Sequence, residues 1–146
     1  MSSDRYLQIS WEEFHRDCKT LAQHLAGLRP WQGLVAITRG GLIPAGILAH
    51  ELNIRLIDTL GASSYGDDEK QGALEIIKTA SDAMAGEGFI IVDDLVDTGA
   101  TAHLARRLLP QGHLAAVYAK PAGLGSIDSH VRQVAQETWI VFPWEI

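Results

Sequence analysis

The sequence predicts one α/β domain built on a mostly parallel, twisted sheet flanked by helices, and three observations predict it. Phe89-Ile-Ile-Val92 and Gly33-Leu-Val-Ala-Ile37 are short, continuous apolar runs, the kind that forms strands buried on both faces of a parallel sheet. Each run passes through a glycine-bearing polar turn into helical signals: Pro44 after one, and Leu104, Leu108 and Leu109 after the other. The 146 residues give room for one core, with no composition shift or linker to mark a second domain, so residues 1–146 read as one unit.

Taken in order, the first element is an amphipathic helix. Ser10 and Glu13 form a capping-box pattern, Trp11, Phe14, Cys18, Leu21, Ala22 and Leu25 line one face, and Gly27 follows the end. Cys18 on that face reads as a small buried hydrophobe. The strand Gly33–Ile37 leads through Thr38-Arg-Gly-Gly41 into a helix beginning near Pro44, and a further strand spans Ile54 to Leu60. Gly61-Ala-Ser-Ser-Tyr-Gly-Asp-Asp-Glu-Lys-Gln-Gly72 is polar, acidic and glycine-punctuated, which fits either a plain connection or a lid. The strand Phe89–Val92 enters Asp93-Asp-Leu-Val-Asp-Thr-Gly-Ala-Thr101, and Leu114 to Ala119 forms a strand ending at Lys120.

The chemistry concentrates at Asp93–Thr101. A strand-to-helix turn in an open α/β sheet lies at the carboxyl ends of the strands, where ligands bind. Asp97-Thr-Gly-Ala-Thr101 supplies two hydroxyls, a glycine for close backbone approach, and amides at a helix N-terminus, all suited to a phosphate. Asp93 and Asp94 carry acceptors suited to vicinal sugar hydroxyls or to a hydrated Mg²⁺. Asp97 or Thr98 alone reads first as an N-cap. Three carboxylates within five residues at the end of a buried strand repel one another, and stability gives little reason to gather them. Upstream, Arg39 offers a forked, always-charged donor beside Gly40 and Gly41, which suits pyrophosphate oxygens but equally a strand–helix connection with a solvated arginine.

Several function classes lose support. The formal net charge of −6 and the absence of any basic run argue against a nucleic-acid partner. His15, His24, His50, His103, His113 and His130 show no zinc spacing, although His15 and Cys18 are placed on one helical face. Neither GxxxxGK[ST] nor GxGxxG occurs, and there is no internal repeat. No apolar stretch approaches the ~20 residues of a spanning helix, and Met1-Ser-Ser-Asp-Arg lacks a signal-peptide pattern, so a soluble cytoplasmic protein is expected. Cys18 is the one cysteine, which excludes a disulfide within the chain.

The apolar strand, paired acids and threonine-glycine turn resemble the phosphoribosyl pyrophosphate motif of the type I phosphoribosyltransferases. The resemblance runs from Ser10 to Trp144. It implies a parallel sheet with a small C-terminal hood and a mobile lid loop. It also implies Asp93 and Asp94 on the ribose hydroxyls and Mg²⁺, and Asp97, Thr98, Gly99, Ala100 and Thr101 around the ribose 5-phosphate. Thr38-Arg-Gly-Gly41 is similar to the family's pyrophosphate loop, which assigns Arg39 and Gly40 to pyrophosphate and implies a non-proline cis peptide at Thr38–Arg39. The lid would begin at Ser63, Ser64 and Tyr65, with Lys70 carrying the loop's basic role against pyrophosphate.

Ala119-Lys-Pro-Ala-Gly123 and Gln136-Glu-Thr-Trp-Ile-Val-Phe-Pro-Trp144 resemble the xanthine-guanine members of that family. By this resemblance Lys120 donates to a purine 6-oxo group, Trp139 stacks on the purine, and the Ile140 carbonyl accepts from a 2-amino group. Read from the residues alone, Lys120 is first a surface lysine ending a strand and Trp139 a core aromatic. The implied reaction is Mg²⁺-dependent transfer of phosphoribosyl to a 6-oxopurine, guanine, xanthine or hypoxanthine, with Asp97 accepting the N7 proton. A different class on the same fold is a regulator that senses phosphoribosyl pyrophosphate without turnover, against which the acidic charge speaks. The family also implies a homo-oligomer, dimeric or tetrameric, with exposed Trp31 and Trp144 as interface candidates. Some relatives associate peripherally with the inner membrane face, which nothing in the charge pattern requires. Two departures stand out: the segment from Tyr65 to Gly88 is longer than usual, and related proteins continue past Glu145-Ile146 with a further apolar stretch.

Overall fold

The computed structural model describes residues 5–64 and 74–145, with Ser64 described by its backbone alone. The expectations for Tyr65 and Lys70 therefore lie outside the described residues. Eight strands and three α-helices are described: β1 (Tyr6–Gln8), α1 (Trp11–Ala26), β2 (Gly33–Thr38), α2 (Leu42–Leu52), β3 (Ile57–Ser64), β4 (Leu74–Lys78), β5 (Phe89–Val96), α3 (Ala100–Leu108), β6 (His113–Ala119), β7 (Ser129–Gln133) and β8 (Trp139–Val141). Short 3-10 turns span Ser81–Ala83, Pro121–Ser126 and Pro143–Glu145.

The main sheet has the order β4-β3-β2-β5-β6-β7, parallel throughout except for β4, which runs antiparallel to β3. Its central strands are apolar on both faces, which divides the core in two. Leu34, Ala36, Ile90, Val92, Ala115 and Val117 pack on the α1 and α2 side. Val35, Ile37, Phe89, Ile91, Leu114 and Ala116 pack on the α3 side. This is why the runs read as continuous rather than alternating.

Helix α1 begins as expected: Ser10 Oγ accepts from the Glu13 N–H at 3.0 Å, and Glu13 Oε1 accepts from the Ser10 N–H at 3.1 Å. Its buried face differs at two positions. Trp11 is exposed; Asp17 is buried in the face, where the Tyr118 hydroxyl donates to its Oδ2 at 2.6 Å and supplies a partner for that carboxylate. Cys18 is buried, as expected, and burial pushes its thiol up to about 12. His15 is exposed, so it does not share the buried face with Cys18.

Other boundaries move by a few residues. Helix α2 starts at Leu42, with Pro44 in its first turn, and β3 starts at Ile57 rather than Ile54. The first residues of the segment expected to open a loop at Gly61 instead continue β3 to Ser64, because antiparallel backbone pairing to Leu74–Lys78 outweighs the weak strand signal of Gly61-Ala-Ser-Ser64. The small hood is a two-stranded parallel sheet of β1 and β8, so it draws on the N-terminal segment as well as the C-terminal one. Trp31 and Trp144 are partly buried against the α1-side core rather than exposed. Trp31 Nε1 donates to the Leu25 carbonyl at 2.8 Å, and Trp144 stacks on Phe142 with ring centroids 4.7 Å apart.

Candidate active site

The two chemically loaded turns meet where the strand order reverses. From β2 the chain crosses through α2 to β3 on one side, and from β5 it crosses through α3 to β6 on the other. Such a switch point opens a crevice at the carboxyl ends of the strands. Pairing between β2 and β5 ends at Ala36 and Val92, while β5 stays paired with β6 as far as Val96 and Ala119. Asp93 and Asp94 are thus strand residues paired on one side and without a strand partner on the other.

Arg39 and Gly40 form the facing wall. The Thr38–Arg39 peptide is cis, as the resemblance implied. A Cβ on Gly40 would lie 2.6 Å from Asp94 Oδ1, so glycine is what lets this loop sit against that carboxylate. Arg39, Gly40, Asp94, Trp144 and Glu145 line one recess, and Arg39 is exposed in it.

Asp97–Thr101 line a second recess together with Asp93. Gly99 adopts φ +97° as the N-cap of α3, and a Cβ there would lie 2.9 Å from Ser126 Oγ, so the turn requires glycine twice over. No side chain caps this helix from the N-cap position, and Thr98 Oγ1 accepts a long 3.4 Å bond from the Ala100 N–H. The first-turn amides and the positive end of the helix dipole favour an anion at this recess.

Successive strand residues alternate in direction, so Asp93 lines the recess on the α3 side and Asp94 the one on the α2 side. Burial pushes the Asp93 carboxyl well above its usual range, and the adjacent Asp94 charge adds to the rise. Burial also raises Asp94, with hydrogen bonds opposing it and the Glu145 charge adding to it. Among the described residues no group of three or more His, Cys, Asp or Glu side chains is arranged to hold a metal. The pair nevertheless suits Mg²⁺. Each offers a hard oxygen donor at the crevice, and one carboxylate with water and substrate oxygens is enough for a Mg²⁺ site.

The third group lies at the edge of the crevice. Lys120 is 5% exposed, and its Nζ lies 3.5 Å from Asp97 Oδ2. The other carboxylate oxygen, Oδ1, accepts from Gln136 Nε2 at 2.7 Å, and Gln136 Oε1 accepts from the Ala122 N–H at 2.8 Å. Lys120 is therefore not a surface lysine. Trp139 is 65% exposed on β8 and so is not a core aromatic; Ile140 beside it is buried and registers against Leu7 of β1.

Sequence reasoning brought together Arg39, Gly40, Asp93, Asp94, Asp97, Thr98, Gly99, Ala100, Thr101 and Lys120 around this crevice. It gave no role to Gln136 or Glu145. Gln136 meets Asp97 across 39 residues of chain, and Glu145 reaches Asp94 through the fold of the C-terminal segment, so neither contact leaves a spacing signal.

A phosphoribosyl transferase domain model matches residues 10–146. The chain is 46% identical, over 99% of its length and 89% of the other, to a xanthine-guanine phosphoribosyltransferase of Nitratidesulfovibrio vulgaris. Among solved structures it resembles a purine phosphoribosyltransferase from Pyrococcus horikoshii, with TM-score 0.80, 28% identity, and 97% and 95% of the two chains covered. It also resembles a Helicobacter pylori xanthine-guanine-hypoxanthine phosphoribosyltransferase, with TM-score 0.77, 25% identity, and 97% and 94% covered. With the motif spread over nearly the whole chain and the crevice assembled at the switch point, the chain belongs to the phosphoribosyl transferase family, and it is an enzyme that transfers a phosphoribosyl group.

Proposed function

We propose that this enzyme is a Mg²⁺-dependent purine-salvage transferase that moves a 5-phosphoribosyl group from phosphoribosyl pyrophosphate to N9 of a 6-oxopurine. Guanine and xanthine are the principal bases and hypoxanthine a third, giving GMP, XMP or IMP and pyrophosphate. The observation that carries this reading is Lys120, buried at the end of β6 with its ammonium 3.5 Å from Asp97. A purine presents O6 and N7 on one edge, so a donor and an acceptor side by side match the 6-oxo oxygen and the N7 proton. Adenine, with an amino group at position 6, would leave the buried ammonium without an acceptor, which is a strong basis for rejection. Trp139 offers an exposed ring for stacking, and the Ile140 carbonyl a partner for a 2-amino group.

In the proposed reaction the first-turn amides of α3 with Thr98, Gly99, Ala100 and Thr101 hold the ribose 5-phosphate. That contact is remote from the reacting carbon and positions C1′ beneath the base. Asp93 and Asp94 hold the ribose hydroxyls and Mg²⁺. The metal, when bound, supplies positive charge to the departing pyrophosphate. Arg39 and the Gly40 backbone hold that leaving group on the other wall, and Lys70 is proposed to join them from the lid. Asp97 takes the N7 proton as the C1′–N9 bond forms and the C1′–oxygen bond to pyrophosphate breaks, so electron density stays on the attacking nitrogen. We further propose a cytoplasmic homo-oligomer. No helix among the described residues is long and apolar enough to cross a membrane.

The test is product formation with Mg²⁺ and phosphoribosyl pyrophosphate, offering guanine, xanthine, hypoxanthine, adenine, orotate and uracil separately to the parent and to Asp97→Asn. Turnover confined to the 6-oxopurines, with kcat lowered about 10²- to 10⁴-fold in Asp97→Asn, supports the reading. Equal activity of parent and variant removes Asp97 as the proton acceptor. Ligand binding without turnover of any base points instead to a sensor.

A further inference from the structure

We infer that Gln136 is a positioning residue that aims the Asp97 carboxylate at the purine, an inference that rests on the proton-acceptor role proposed for Asp97. Asp97 sits just past the end of β5, with its side chain half exposed, where a free carboxylate would sample several rotamers. Two side chains hold it. Lys120 meets Oδ2 at 3.5 Å, while Gln136 Nε2 meets Oδ1 at 2.7 Å, so the amide is the closer restraint.

Gln136 is itself fixed at both ends. Its Oε1 accepts from the Ala122 N–H at 2.8 Å, which leaves one orientation of the amide: a flipped group would set two donors against each other at Ala122 and two acceptors at Asp97. The side chain thereby joins three segments that each contribute to the proposed purine site. These are the Asp97 turn, the 3-10 turn that follows Lys120, and the turn that leads into Trp139 and Ile140 of β8.

The division of labour follows from the chemistry. When a purine binds, Lys120 turns its donor capacity to the 6-oxo oxygen, and the hold on Oδ2 loosens as that oxygen faces N7. Gln136 then remains as the donor that keeps the carboxylate plane fixed, and being neutral it does so without a second positive charge competing for the proton acceptor. Orientation of this kind acts on turnover more than on binding of the phosphate-bearing substrate.

Two substitutions separate positioning from mere architecture. Gln136→Glu keeps the length and the acceptor for the Ala122 N–H but replaces the donor with a negative charge facing Asp97. Gln136→Leu keeps the bulk and removes both bonds. If the residue served only to satisfy Ala122, glutamate would be the mild change. Under the positioning role it is the severe one. We expect kcat with guanine, per folded molecule, to fall about tenfold in Gln136→Leu and about a hundredfold in Gln136→Glu, with KM for phosphoribosyl pyrophosphate within about twofold of the parent in both. In an Asp97→Asn background, adding Gln136→Leu should cost nothing further, because the carboxylate it aims is gone. A Gln136→Glu enzyme as active as Gln136→Leu or more so, or an additive loss in the double variant, overturns the inference while leaving the proposed activity intact. Full turnover in Asp97→Asn alone overturns the acceptor role, and the inference with it.

Discussion

Two carboxylate sites lie on the same sheet, one strand apart, and the chain treats them in opposite ways. Asp58 on β3 accepts from Lys78 Nζ at 2.7 Å and from the N–H groups of Thr59 and Asp82 at 2.8 and 3.0 Å. Burial alone would raise its carboxyl, but these donors outweigh burial and hold it below the usual carboxylate range. Asp93 and Asp94 on β5 are also withdrawn from water. Between them the described contact is the Asp94 N–H donating to Asp93 Oδ1 at 2.9 Å, and no ion pair among the described residues includes either. Both are pushed up. One cluster is completed by its own chain. The other has no cation of its own among the described residues, as expected of a site built for a ligand rather than for stability.

The sharpest way to break the comparison is to neutralise each cluster and watch which property fails. Asp93→Asn removes a charge that the fold makes costly and supplies a neutral side chain of the same shape. Turnover should fall by about a hundredfold or more if Asp93 holds the ribose hydroxyls as proposed, since a fixed electrostatic contact is then lost. The thermal midpoint should rise by about 2–4 °C, the scale of a 1 kcal/mol gain. A lower midpoint together with the lost activity would mean that Asp93 serves the fold after all.

Asp58→Ala should do the reverse. It takes their acceptor from the N–H groups of Thr59 and Asp82, and from Lys78 one of three acceptors, the Thr59 and Thr79 carbonyls remaining, at a cost of about 1–3 kcal/mol in urea unfolding. That cost is kept modest because the Lys78 side chain is half exposed. Turnover per folded molecule should stay at the parent value. Loss of turnover at unchanged folding would place Asp58 in the catalytic machinery and erase the distinction.

The same contrast explains what was legible in the sequence. Strands β2, β5 and β6 and helix α1 were readable because their signals are local: continuous apolar runs between two core layers, and a capping box four residues long. The crevice was readable because the family motifs keep glycines and acids at fixed spacing around the two turns. Asp58 and its donors left no trace, since Asp82 and Lys78 reach it from more than 19 residues away. Strands β4 and β7 escaped notice for a related reason. They are short edge strands whose partners, β3 and β6, define them more than their own residues do. Gln136 carries no local signal, because its meaning lies in contacts to Asp97 and Ala122 that cross the sheet's carboxyl edge.

The smallest effect follows from the signs of the two shifts. Asp58 is held below its unfolded value of 3.8, so its contribution to stability is present above that value and fades as pH falls through the folded one. Asp93 and Asp94 are held above 3.8, so their contribution is complete below that value and fades as pH rises through the folded values. Stability should therefore slope downward at both ends of the acid-to-neutral range, by at most about 1.4 kcal/mol per pH unit for each proton involved. Urea midpoints measured across that range should lose the low-pH limb in Asp58→Ala and flatten the higher limb in Asp93→Asn. Saturating Mg²⁺ should flatten the higher limb of the parent as well, because a bound cation favours the ionised pair, and should leave the Asp58 limb untouched. If Mg²⁺ moved both limbs, the cation would be acting through general screening, and the unmet demand at β5 would not be a binding site.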